Sequence, residues 1–266
     1  MPYFSTQDDC SLYFETHGFD STRPVVVFLN GTMQTTVNWK MHATIFEDRF
    51  RVLMYDARAQ GQSDLGERKL SLEKHAEDFA ELLGHLGVEK AHLVGLSHGA
   101  KVALTHAYHS PEQVDRLVLC SVSAIFTSRA KLFVRSWLEI LRSSGLEAMA
   151  WVALPVLFGE SFLGHQERIL DSMVKAIVNR NTKEALVAQL EAMTTYPPLS
   201  EIARNVRNPC LVISASDDPL VTEEGAKELA VLCGGHHEHI AGVGHSIPTE
   251  APELFVETVI RFLDTT

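Results

Sequence analysis

Val25 to Leu29, "VVVFL", is apolar at every position, whereas Ser11 to His17, "SLYFETH", alternates apolar with polar. The first pattern belongs to a strand buried on both faces, the second to a strand with one face toward water. Further strands are predicted at "RVLMYD" (51–56), "AHLVGLS" (91–97), "DRLVLCSV" (115–122), "PCLVISAS" (209–216) and "HHEHIAG" (236–242). Helical periodicity appears between them. "SLEKHAEDFAELLGHLG" (71–87) opens on Ser71 as N-cap and stops at Gly87, and "GAKVALTHAYHSPEQV" (99–114) and "APELFVETVIRFL" (251–263) follow the same logic.

Strands alternating with helices predict right-handed crossovers and a mostly parallel sheet with helices on both faces, an α/β fold. The alternation stops between Ala124 and Arg204. That stretch reads as helices only ("RAKLFVRSWLEILRSS", "LEAMAWVALPVLFG", "ERILDSMVKAIVNR", "TKEALVAQLEAM") and leaves through Pro197-Pro198. The expected organisation is a core of residues 1–123 and 205–266 with an all-helical cap at 124–204. Such an insertion would cover the carboxyl edge of the sheet, where open α/β sheets bind ligands.

At 266 residues and 45% hydrophobic, the composition fits a globular core carrying one insertion. A net charge of -11 argues against non-specific binding to nucleic acid or anionic membranes. The polar start "MPYFSTQDDC" lacks the pattern of a signal peptide, and no apolar run approaches the length of a membrane span. Cys10, Cys120, Cys210 and Cys233 have no C-x-x-C spacing, so reduced thiols and a cytoplasmic location are expected.

Candidate chemistry lies at the ends of the predicted strands. Asn30-Gly31 after an apolar run is ordinarily a hairpin signal, yet no alternating strand returns after it. Gly95-Leu96-Ser97-His98-Gly99 sits between a strand and a helix, the context in which G-x-S-x-G exposes a nucleophilic serine at a sharp turn. A serine needs a base and the base a carboxylate, expected in the order serine, acid, histidine after later strands. Asp217-Asp218-Pro219 and Gly242-Val243-Gly244-His245 occupy those places.

With these motifs the chain resembles the α/β-hydrolase superfamily over almost its whole length, which implies that superfamily's fold and a catalytic set of Ser97, Asp218 and His245. Ala215 replaces a family glycine ahead of the acid, and Asp217 stays the alternative to Asp218. The resemblance also explains Asn30-Gly31: an oxyanion needs two preorganised N–H donors, one from His98 and one from the loop after the early strand, at Thr32. In "YDARAQGQSD" the family loop is matched at Asp56, Arg58, Gly61 and Ser63, with Ala59 in place of a glycine, and Arg58 is expected to brace. Asn30, Gly31 and Met33, and Trp137 and Trp151 of the cap, are the candidate substrate contacts, and Asn30 is also expected to brace its loop by side-chain hydrogen bonds.

The serine argues against relatives that use aspartate as nucleophile. "LNGTMQTTVNW" and "YDARAQGQS" are similar to stretches in the hydroxyacyl-carrier-protein:CoA transacylases and the rhamnolipid lipid-moiety synthase. That likeness implies an acyl ester or thioester substrate, with acyl carrier protein or CoA as partners to be considered. Ser97-His98-Gly99-Ala100 departs from their S-W-G-G. Hydroxyacyl transfer, lactone hydrolysis, carbon–carbon bond hydrolysis and a binding-only receptor of the same fold remain the alternatives. No cofactor and no metal are expected; "HHEH" at 236–239 reads better as a strand with alternating faces than as a ligand set.

Overall fold

A computed structural model describes residues 2–264. The amino-terminal part runs β1 (Tyr3–Ser5), β2 (Ser11–His17), β3 (Val25–Leu29), α1 (Lys40–Phe46), β4 (Arg51–Tyr55), α2 (Leu72–His85), β5 (Ala91–Leu96), α3 (His98–His109) and β6 (Val114–Cys120). Helices α4 (Ser128–Leu157), α5 (Glu160–Gln166), α6 (Leu170–Arg180), α7 (Lys183–Met193) and α8 (Ser200–Ala203) follow without a strand. The chain then returns through β7 (Cys210–Ala215), α9 (Glu223–Leu232), β8 (His236–Ile240), α10 (Ile247–Glu250) and α11 (Pro252–Leu263).

The strands form an 8-stranded sheet in the order β1-β2-β4-β3-β5-β6-β7-β8. β1 and β2 are antiparallel and the pairs from β4 through β8 parallel. Because β3 pairs in parallel with both β4 and β5, Asn30-Gly31 cannot turn a hairpin. The uniform apolar run of β3 has its physical reason here. Val25, Val27 and Leu29 join the core on one face of the sheet, with Phe79 and Leu82 of α2, while Val26 and Phe28 join the core on the other, with Trp39, Phe46 and Phe255. Full burial of each such side chain contributes about 1.5–3 kcal/mol. Ser71 caps α2 as expected, its Oγ accepting from Lys74 N at 3.1 Å.

Three features differ from the sequence expectation. β1 is too short to show a period and takes its register from β2, Tyr3 opposite Tyr13. The first two predicted cap helices join as α4, kinked where Gly145 adopts φ 88°, a backbone state that costs glycine little. α5 falls in a stretch that carried no helical expectation. By length and composition α4 is also able to cross a membrane, unlike the expectation from apolar runs alone. Its kink at Gly145 and the burial of Trp137, Leu141 and Met149 in the main core instead fit a packed helix. The four cysteines are free and buried.

Candidate active site

The site begins where β5 ends. Ser97 has φ 53° and ψ -109°, between the last residue of β5 and the first of α3. A side chain at Gly95 would put its Cβ 2.6 Å from Ala100 N, and one at Gly99 would put it 2.2 Å from Leu29 O. Both flanking positions therefore admit only hydrogen. Positive φ at a serine costs about 1–3 kcal/mol and persists where the surroundings impose it. The Ser97 N–H donates to Cys120 O at 2.8 Å, which ties the turn to β6.

Asp218 and His245 come from the loops after β7 and β8. His245 Nδ1 lies 2.7 Å from Asp218 Oδ2, and both side chains are almost fully buried. Asp218 Oδ1 accepts from the N–H groups of Leu220 (2.8 Å) and Val221 (3.1 Å), which fix the carboxylate. Asp217, the alternative acid, is exposed and accepts from Ser216 Oγ. The geometry therefore favours Asp218. With Nδ1 engaged, His245 has Nε2 left for the cavity, whose wall it shares with Ser97. No hydrogen bond joins Ser97 Oγ to His245 among the described residues, a contact that often tightens only with substrate bound.

Two residues that the sequence did not single out hold the His245 loop. Ser121, itself at φ 53°, donates its Oγ to His245 O at 2.7 Å. Glu250 accepts from Gly244 N (2.9 Å), Ser246 N (3.3 Å) and, across to the insertion, Gly159 N (2.9 Å). Burial pushes the Glu250 carboxyl above its ordinary range against these hydrogen bonds. A glutamate in the turn after the expected G-x-G-H was the one available signal.

The loop after β3 carries Asn30, Gly31, Thr32 and Met33. Asn30 faces away from the cavity: Nδ2 donates to Tyr55 O (2.9 Å) and Asp56 Oδ1 (3.1 Å), and Oδ1 accepts from Trp39 Nε1 (2.9 Å). Of the two roles expected of Asn30 the hydrogen bonds are those of a brace and not of a substrate contact, because buried amide atoms go where partners exist. Gly31, Thr32 and Met33 line the cavity, Met33 at φ 66°. Asn181 Nδ2 donates to Met33 O at 3.1 Å and links this loop to the end of α6. His98 is the first residue of α3, so its N–H has no acceptor within the helix. The His98 ring turns away, Nε2 lying 3.1 Å from the Tyr196 hydroxyl. Burial, with His75 and Lys101 nearby, holds that imidazole well below the usual histidine range. Arg58 braces as expected, pairing with Asp78 at 2.7 and 2.9 Å and with Asp8 at 2.7 Å.

The cavity has a volume of about 330 Å³ and is walled by sheet loops below and by α4, α6 and α7 above. Trp137 lines it together with Phe158 and Phe162. Trp151 does not: its side chain is 39% exposed on α4 outside the cavity, because the kink at Gly145 gives the two halves of α4 different faces. The "HHEH" residues alternate as a strand does. His237 and His239 share a face through Ser214 Oγ at 2.8 and 2.9 Å, while Glu238 pairs with Arg261.

The profile of the α/β hydrolase fold matches residues 24–252. The chain belongs to this family. Among curated relatives of the family, 3-oxoadipate enol-lactonase 2 of Acinetobacter baylyi is 23% identical over 269 residues, covering 98% of this chain and 99% of the relative. Among solved structures, the enol-lactonase of Burkholderia xenovorans LB400 superposes with a TM-score of 0.91 at 25% identity, over 99% of this chain and 100% of that one. The α/β hydrolase MGS-M2 from a deep-sea metagenome gives a TM-score of 0.92 at 26% identity, covering 99% and 98%. Another curated relative, the putative carbamate hydrolase RutD of Agrobacterium fabrum, is 24% identical over 257 residues, covering 95% of this chain and 98% of the relative, and the architecture matches the expected α/β-hydrolase fold with a helical insertion.

Proposed function

We propose that the chain is a serine hydrolase that opens a carboxylic ester, lactone or thioester through an acyl-enzyme on Ser97. The observation that carries this is the 2.7 Å hydrogen bond between His245 Nδ1 and the Asp218 carboxylate, with His245 and Ser97 lining the same cavity. His245 Nε2 takes the Ser97 proton as Oγ attacks the carbonyl carbon, and the oxyanion accepts from the N–H groups of Thr32 and His98. The intermediate collapses, the carbon–oxygen or carbon–sulfur bond breaks, and His245 passes its proton to the leaving group. Water then attacks the acyl-enzyme, with His245 again as base, and releases the acid and free Ser97. Asp218 holds the tautomer and does not itself take up the proton. The cap at 124–204 acts as a lid that keeps bulk water from the acyl-enzyme.

The likeness to enol-lactonases supports lactones as a second substrate form, in which leaving group and acid stay in one molecule. Transfer to CoA or acyl carrier protein would need the same acyl-enzyme and a thiol in place of water. The test is labelling of Ser97 by a fluorophosphonate, followed by turnover of alkyl esters, lactones, acyl-CoA and acyl-carrier-protein thioesters. Absence of labelling in the folded protein overturns the reading.

A further inference from the structure

Lys101 stands one helical turn beyond Ser97, on the same face of α3, with its N–H donating to Ser97 O at 3.1 Å. Its side chain lines the cavity and lies with Nζ 4.4 Å from the centroid of Phe126 and 5.9 Å from that of Tyr196. Among the described residues no carboxylate forms an ion pair with it, and no aspartate or glutamate lines the cavity. Arg180 lines the same wall system, so both charged side chains on it are cations. In a chain of net charge -11 the sign of this cavity's charged side chains is opposite to that of the whole.

A half-buried ammonium that faces an apolar cavity without an ion-pair partner is costly, and purely structural packing beside Phe126 and Tyr196 would be served better by methionine or leucine. Burial alone pushes the Lys101 ammonium down to about 8, with no anion nearby to offset it. The missing partner is then something that enters the cavity.

We propose that the substrate's acyl arm ends in a carboxylate and that Lys101 binds it. This rests on the serine-hydrolase reading and names its substrate class: esters or lactones of short dicarboxylic acids. The inference commits to a carboxylate and not a phosphate, because the groups placed beside Lys101 Nζ are the rings of Phe126 and Tyr196, which leave a single cation to balance a single charge there. Four residues of helix separate the Cα atoms of Ser97 and Lys101 by about 6 Å along the axis, and helical side chains lean back toward the amino terminus. That spacing fits an arm of roughly two to four methylenes between the scissile carbonyl and the carboxylate.

The experiment compares monoethyl adipate with ethyl hexanoate, and with an ethyl ester whose arm ends in a phosphonate, on wild type and Lys101→Met. Wild type should favour monoethyl adipate in kcat/KM. Lys101→Met should cut the adipate-to-hexanoate ratio about tenfold or more, chiefly through KM, since a hydrogen-bonded charge is lost. A wild type that favours the neutral ester, a ratio unmoved by Lys101→Met, or a preference for the phosphonate overturns the inference. Calorimetry of adipic acid monoamide against hexanamide reads the same contact without turnover. A protein that labels with fluorophosphonate but shows no carboxylate preference loses this inference and keeps the hydrolase reading. One that fails to label yet binds the monoamide more tightly through Lys101 does the reverse.

Discussion

Replacing Lys101 by methionine should make the free protein more stable, and the gain should depend on pH in a stated direction. Methionine has nearly the same length and buries without a charge. A depression of the lysine from 10.5 to about 8 corresponds to about 3 kcal/mol against the ammonium form at neutral pH. That figure is an upper bound, because part of the side chain faces the cavity and is screened there. The variant also forfeits attraction to the rings of Phe126 and Tyr196, about 0.5–1 kcal/mol. The net expectation is a gain of about 1–2 kcal/mol at pH 7, or a rise in Tm of about 2–6 °C.

The sign of the pH dependence follows from the direction of the shift. The folded-state value lies below the unfolded one, so between about 8 and 10.5 the unfolded chain binds more protons at this position. Wild-type stability therefore rises relative to Lys101→Met across that window, and the advantage of the variant shrinks toward pH 10. Urea unfolding of both proteins at pH 7, 9 and 10 measures the gap directly. A variant less stable than wild type at pH 7, or a gap that does not narrow with pH, refutes the argument that Lys101 is a half-buried, unpaired cation.

Ser97→Ala and His245→Ala should each lower kcat by about three to six orders of magnitude with the fold retained, and the double variant should be little worse than either, as steady-state kinetics on one ester will register. Thr32→Pro, which removes the backbone donor, should cost about two to three orders of magnitude in kcat, against a mild effect for Thr32→Ala, with circular dichroism verifying the fold. Glu250→Ala frees the N–H groups of Gly159, Gly244 and Ser246 and should cost about 2–3 kcal/mol in urea unfolding, with kcat falling more than KM rises. Trp137→Phe should reduce kcat/KM for a six-carbon acyl ester more than for acetyl, roughly severalfold, whereas Trp151→Phe, outside the cavity, should not move that ratio.

Much of the fold was legible because burial on both faces writes a continuous apolar run, as in β3 and β5, and because Ser71 carries its cap signal in sequence. The G-x-S-x-G motif and the family resemblance point to Ser97, Asp218 and His245, with Asp217 the alternative acid that only its exposure in the fold disfavours. What sequence could not carry is direction within an element. Whether Asn30 faces a substrate or braces Asp56 depends on Trp39 and Tyr55 arriving from other segments. Whether Trp137 and Trp151 share a face depends on the kink at Gly145, which converts a uniform helical period into two. Lys101 was readable in principle: four residues after a helix-opening serine is the same face, but the absence of an acid opposite it is a fact of tertiary structure.

Three of the five non-glycine residues at positive φ among the described residues are arranged around the cavity, Asp9 and Ala59 being the others. Of the non-glycine residues at positive φ, Met33, Ser97 and Ser121 follow the carboxyl ends of β3, β5 and β6, neighbouring strands of the sheet, and each lines the cavity. Each departure delivers something a relaxed continuation of the strand would not. Met33 shapes the loop that carries the Thr32 N–H, Ser97 presents its Oγ, and Ser121 turns its hydroxyl onto His245 O. Such backbone states cost of order 1–3 kcal/mol each and survive where the surrounding packing over-determines them. Lys101 adds a charge without an ion-pair partner at the same place, whereas the buried cation Arg58 is held by Asp78 and Asp8. Strain and uncompensated charge placed together at one strand edge are what a site shaped by its substrate requires and what packing alone would have removed.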